Sequence, residues 1–171
     1  MRTVYHVLVL LAAGIPWAPA MAQKSAPPPV LYTIRRLSLG TALRMARTAL
    51  GACRKAGVNV AVTVVDRSGH VQVVLRDTLA MSLTLAVSRD KAYTAMTFDA
   101  PTSRLEGRFS GAYSVPKEPG LLISAGGLPV TAAGSIIGGI GVSGAPSGKI
   151  DERCARAGLD AVRTDIEMSA D

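Results

Sequence analysis

Two runs rich in β-branched residues, Val58 to Val65 and Val71 to Leu75, are separated only by Asp66-Arg67-Ser68-Gly69. Val and Thr suit a pleated surface and the four intervening residues carry turn chemistry, so the chain reverses and the runs pair as an antiparallel hairpin. That hairpin excludes a wholly parallel sheet built from βαβ crossovers. Upstream, Leu39, Ala42, Leu43, Ala46, Leu50 and Cys53 recur at helical spacing, with Ser38 placed to cap the start and Gly57 to end the helix at Ala56. Downstream, after a loop over Arg76 to Ala80, Leu83 to Met96 reads as a helix broken before Pro101, and Thr102 to Arg108 as a second, shorter one. Strands are expected at Gly120 to Ser124, Leu128 to Thr131 and Ser135 to Val142, followed by a helix that Asp151 opens and that runs from Glu152 to Ile166. The order α-β-β-α-α-β-β-β-α predicts an α+β fold, an antiparallel sheet of about five strands flanked by helices.

The N-terminus has a different character. Arg2, the apolar stretch Val7 to Ile15 and the small residues Ala20-Met21-Ala22 have the layout of a cleavable signal peptide over residues 1–22. The apolar stretch is shorter than the roughly 18 to 20 residues a spanning helix needs, and Pro16 and Pro19 interrupt its end. The expected product is periplasmic or secreted, with no integral membrane segment after cleavage. Residues 23–36, with Pro27-Pro28-Pro29, read as a flexible tether, and 37–171 as a single domain large enough to bury its own core. In an oxidising compartment Cys53 and Cys154 can form a disulfide or serve as small buried hydrophobes, and sequence does not decide between them.

The chain carries 19 Lys and Arg against 12 Asp and Glu, one of the cations being Arg2. The positive charges lie in scattered pairs, such as Arg35-Arg36 and Arg54-Lys55, without the interleaved aromatics that stack on bases, so nucleic acid is not an expected partner. A basic surface does attract acidic small molecules.

Beyond the leader the only histidine is His70, which excludes a metal cage of several imidazoles within one subunit. It follows the turn glycine Gly69, without a nucleophile elbow, and reads either as the first residue of a strand or as a ligand to iron. The glycines of residues 134–148 lack the Lys-Ser/Thr ending of a phosphate-binding loop; Gly138, Gly139 and Gly141 instead suggest close approach of backbone or ligand to a strand.

Four blocks, VTVVDRSGHV (62–71), RDKAYTAMTFDAPTSRL (89–105), GGLPV (126–130) and SIIGGIGVSGAPSGKIDERCARAGL (135–159), resemble in order and spacing those of the GlcG/HbpS family, which is related to the C-terminal domains of PduO-type proteins. The resemblance implies a profilin-like fold, self-association into homo-oligomers, and haem or a related tetrapyrrole as ligand. Carried onto the DKAYTA block, it places Lys91, Tyr93 and Thr94, with Thr97 and Phe98 nearly a turn further, on a ligand-facing helix, and adds His70. Thr94, Thr97 and Phe98 share a helix face that offers hydroxyls and an aromatic wall, while Lys91 on the same stripe suits a propionate. For any one of these residues a core, surface or helix back-bonding role is the commoner reading. The iron ligand is open among His70, Tyr93, Tyr113, Met81 and Met96. Arg76-Asp77-Thr78-Leu79-Ala80 lacks the turn glycine that relatives often carry after the second strand, which implies a different loop shape there.

The leading expectation is an exported haem-binding protein that carries, buffers or senses haem. A corrinoid-binding or other small-molecule assembly module without catalysis is the alternative. An enzyme acting on a small organic acid ranks last, because no complete acid–base constellation is visible.

Overall fold

The structure, a computed structural model, describes residues 29–109, 111 and 115–169. The expected leader, the first part of the tether and Tyr113 lie outside the described residues. The chain divides into two units at Thr33/Ile34. Of the first, residues 29–33 carry neither helix nor strand, and all five are exposed. The second holds the fold.

In that unit α1 (Leu39–Lys55) leads into a hairpin of β1 (Ala61–Asp66) and β2 (Val71–Arg76). Then come α2 (Leu83–Thr97), single 3-10 turns at Thr102–Arg104 and Val115–Lys117, β3 (Gly127–Ala132), β4 (Ser135–Ser143) and α3 (Gly148–Met168). The four strands lie in the order β2-β1-β4-β3, every neighbouring pair antiparallel.

The α+β class and the hairpin agree with the sequence, but the sheet has four strands, not five. Gly120 to Ser124 does not join it, because its backbone donors are used elsewhere: Leu122 N donates to Thr94 Oγ1 at 2.8 Å, Leu121 N and Ser124 N to the nearby carbonyls of Glu118 and Leu122, and just beyond, Ala125 N to Glu106 Oε1 at 2.7 Å. The helix expected over Thr102 to Arg108 is only the turn Thr102–Arg104, where Thr102 Oγ1 accepts from Gly127 N at 2.9 Å. α3 starts at Gly148, ahead of Asp151.

The helix on each face of the sheet reflects its sequence. Ser38 Oγ accepts from Thr41 N, and Ala42, Met45, Ala46, Ala49, Leu50 and Cys53 form the buried stripe of α1. This stripe packs with α3 residues Ala155, Leu159, Val162 and Ile166 over the sheet face formed by Val62, Val64, Leu128, Ile140 and Val142. Cys53 and Cys154 are joined as a disulfide between these helices, with Cα atoms 5.4 Å apart.

On the opposite face α2 buries small and polar residues, among them Thr84, Ser88, Ala92 and Ala95, while Leu83 and Leu85 point outward. The glycines explain this. A Cβ on Gly141 would sit 2.1 Å from Ser88 O, one on Gly139 2.4 Å from Ala92 O, and one on Gly127 2.3 Å from Lys91 O. The missing side chains of β3 and β4 form the bed in which the α2 backbone lies. Gly141→Ala is therefore expected to lower stability by about 2 to 3 kcal/mol through overpacking. Urea denaturation checks this, and an unchanged midpoint would contradict so close a seam.

Candidate functional site

The expected ligand-facing residues divide between the two sides of α2. Lys91 points inward: Nζ donates to Asp151 Oδ2 at 3.0 Å and to Val142 O at 3.2 Å, and the residue is 4% exposed. Burial pushes the Asp151 carboxyl above the ordinary aspartate range, against the opposing pull of Lys91 and of the backbone donors at Ala145 and Gly144. Within this subunit Asp151 occupies the place of the ligand carboxylate expected beside Lys91. Thr94 is also buried; its Oγ1 donates to Asp90 O at 2.7 Å and accepts from Leu122 N, so the hydroxyl anchors the loop after Gly120.

The other four are accessible. The Tyr93 ring lies against the β1–β2 turn, its edge carbons 2.6 and 2.7 Å from where a Cβ on Gly69 would stand, and that glycine adopts φ +81°. Met96 Cε is 3.4 Å from the same point. Gly69 thus opens a slot that brings Tyr93 and Met96 beside the residue preceding His70.

The His70 side chain is 80% exposed, with Nδ1 3.8 Å from Asp66 Oδ1. Asp66 fixes this corner: it accepts from Ser68 N at 2.8 Å and His70 N at 3.0 Å, and Arg36 Nη1 donates to its other oxygen at 2.9 Å. At the end of α2, Thr97 is exposed and Phe98 half-buried, its ring 5.4 Å from that of Phe109 at 49°.

The structure therefore gathers His70, Tyr93 and Met96 at one corner, with Thr97 and Phe98 further along the helix, and withdraws Lys91 and Thr94 into the packing. Met81, another possible iron ligand, is exposed in the β2–α2 connection. Asp66, Arg36 and Phe109 are the neighbours that sequence reasoning missed. An aspartate opening a turn four residues before His70 was the available signal for Asp66. None of the six expected residues lines the surface concavities of about 350, 370 and 260 Å³. Among the described residues no cluster of three or more His, Cys, Asp or Glu could hold a metal ion, and no helix is long and apolar enough to cross a membrane.

A solved double mutant of HbpS from Streptomyces reticuli is 43% identical to the chain, with a TM-score of 0.75, covering 84% of this chain and 99% of that one. The structure of a PduOC–haem complex is 25% identical, TM-score 0.70, covering 74% of this chain and 95% of that one. An uncharacterised 15.0 kDa protein of Citrobacter freundii, from the dhaT-dhaS intergenic region, is 29% identical over 116 residues, 65% of this chain and 82% of the relative. The family model described as "Haem degrading protein HbpS-like" matches residues 37–160, so it spans the hairpin, the whole of α2 and both glycine-bearing strands. On that match the chain belongs to the HbpS-like family.

Proposed function

We propose that the protein binds haem at the corner formed by the β1–β2 turn and α2, and that it acts outside the cytoplasm as a haem carrier, buffer or sensor accessory. The observation that carries the reading is the exposed imidazole of His70 directly after Gly69, the glycine against which the Tyr93 ring edge and the buried Met96 methyl pack, since His, Tyr and Met are usual axial donors to haem iron. Family membership and the haem complex of a relative support the same ligand.

The residues present fit the group. His70 presents an exposed imidazole, and Asp66 Oδ1 on the Nδ1 side would orient it so that Nε2 faces a metal. Tyr93, Phe98 and Phe109 supply aromatic surface for a flat macrocycle, and Arg36 and Arg67 give the same side a positive field for propionates. Bound haem would supply its iron chemistry; the protein's part is to hold and orient it and to limit access of water. A single subunit offers this as surface rather than as a cavity, which favours a second copy as the cover. The exposed apolar side chains of Leu79, Met81 and Leu83 support self-association. The signal-like N-terminus and the Cys53–Cys154 disulfide support export to an oxidising compartment.

The site is tested by ferric haem spectra of His70→Ala, Tyr93→Phe and Met96→Leu. Loss of the axial donor is expected to weaken haem about tenfold or more and to shift the Soret and charge-transfer bands in one variant. Spectra and affinities identical to the parent in all three would overturn this placement.

A further inference from the structure

The turn that carries His70 is gripped from outside the hairpin. Arg36, the last residue of the stretch read from sequence as a tether, reaches Asp66, 30 residues further on: Nη1 donates to Asp66 Oδ2 at 2.9 Å and Nη2 to Ser68 Oγ at 3.1 Å. One planar guanidinium thus holds two residues of the same turn, which the compact ammonium of a lysine does not reproduce. The base of the arm is fixed as well. Leu37 is buried in the main core, and its carbonyl accepts from Gln72 Nε2 at 3.0 Å.

Asp66 passes the grip on to His70. The residue is 4% exposed, and its two oxygens face different partners. Oδ1 accepts from the backbone N–H groups of Ser68 and His70 and stands 3.8 Å from His70 Nδ1, while Oδ2 accepts from Arg36. The terminal torsion of an aspartate is soft, so a second anchor decides where the first oxygen points. With Oδ2 held by Arg36, Oδ1 stays on the turn amides and beside the imidazole. The His70 side chain is 80% exposed, so packing does little to hold it. Its placement depends on its own backbone and on Asp66.

We propose that Arg36 is a positioning residue for His70: through Asp66 and Ser68 it holds the turn in the conformation that presents the imidazole to haem. The inference rests on the corner being the haem site, and it adds a determinant from outside both the hairpin and α2. The requirement is for the fork rather than the charge, because both terminal nitrogens of Arg36 are engaged on the turn. The end of the tether is thereby part of the site's framework.

Hydrogen exchange of the haem-free protein reads the clamp without the ligand. The Ser68 and His70 amides are expected to exchange about tenfold faster or more in Arg36→Gln, and Arg36→Lys to resemble Arg36→Gln rather than the parent. Haemin titration of the same proteins should show affinity lowered about tenfold in both variants, with shifted Soret and charge-transfer bands. Ser68→Ala, at an exposed position that leaves the core untouched, should move both readouts in the same direction by less. Amide exchange indifferent to both Arg36 variants would overturn the clamp. So would haem affinity kept by Arg36→Lys and lost by Arg36→Gln, which is the pattern of a charge drawing propionates. A parent that leaves the haemin spectrum unchanged, with amide exchange still dependent on Arg36, would instead overturn the haem reading and uphold the clamp.

Discussion

Reduction of the Cys53–Cys154 bond is expected to lower the stability of the domain by about 4 to 5 kcal/mol, the chain-entropy value for a closed loop of this size. The two cysteines are 101 residues apart in sequence, so the bridge closes nearly the whole span from α1 to α3. Both residues are buried, and the helices they join form one layer of the main core. The bond therefore restricts the unfolded chain while fixing the packing of α1 on α3. Urea denaturation with and without reductant, and of the Cys53→Ala/Cys154→Ala variant, measures the effect. Coincident transitions in all three would contradict a contribution from the bridge.

The second large effect is expected at Lys91. Lys91→Met removes the ammonium from a buried carboxylate and should cost about 3 to 5 kcal/mol, most of it the penalty of leaving Asp151 uncompensated. Replacing both residues, as Lys91→Met/Asp151→Leu, should recover much of the loss, because the desolvation cost of both charges disappears with them. The single variant also carries a pH signature. Burial already raises the Asp151 carboxyl, and without Lys91 it rises further above its value in the unfolded chain. A raised acid favours the folded state below the unfolded pKa and loses that contribution as pH climbs through the folded pKa. Lys91→Met should therefore be less destabilised near about pH 4 than near about pH 8 when each is referred to the parent at the same pH. Equal losses at both, or a double variant as unstable as the single, would argue against the buried pair.

How legible each part of the fold was depends on the range of the interactions that form it. α1 could be read because its apolar stripe, its Ser38 cap and its terminal Gly57 are local, and the β1–β2 hairpin because Asp66 to Gly69 is turn chemistry. α2 was found as a helix, yet the side it buries was hidden: Ser88, Ala92 and Ala95 form no strongly apolar stripe, and they face inward only because Gly127, Gly139 and Gly141 bring the strands up to the helix backbone. The segment Gly120 to Ser124 has strand composition, but Thr94, distant in sequence, takes one of its donors.

The candidate site shows the same division. His70, Tyr93 and Met96 were identifiable as donor types, while their convergence depends on Gly69 and on the packing of α2 under the turn. Lys91 looks available to a ligand from sequence because its partner Asp151 is 60 residues further on, at the start of the last helix. The disulfide stood undecided until the fold set its two helices side by side.

Titrating the purified protein with haemin and following absorbance, beside an unrelated basic protein of similar net charge, tests haem binding itself. A saturable Soret shift with defined stoichiometry and an affinity well above the control is expected. A spectrum that never departs from that of free haemin, or binding no tighter than to the control protein, would contradict it.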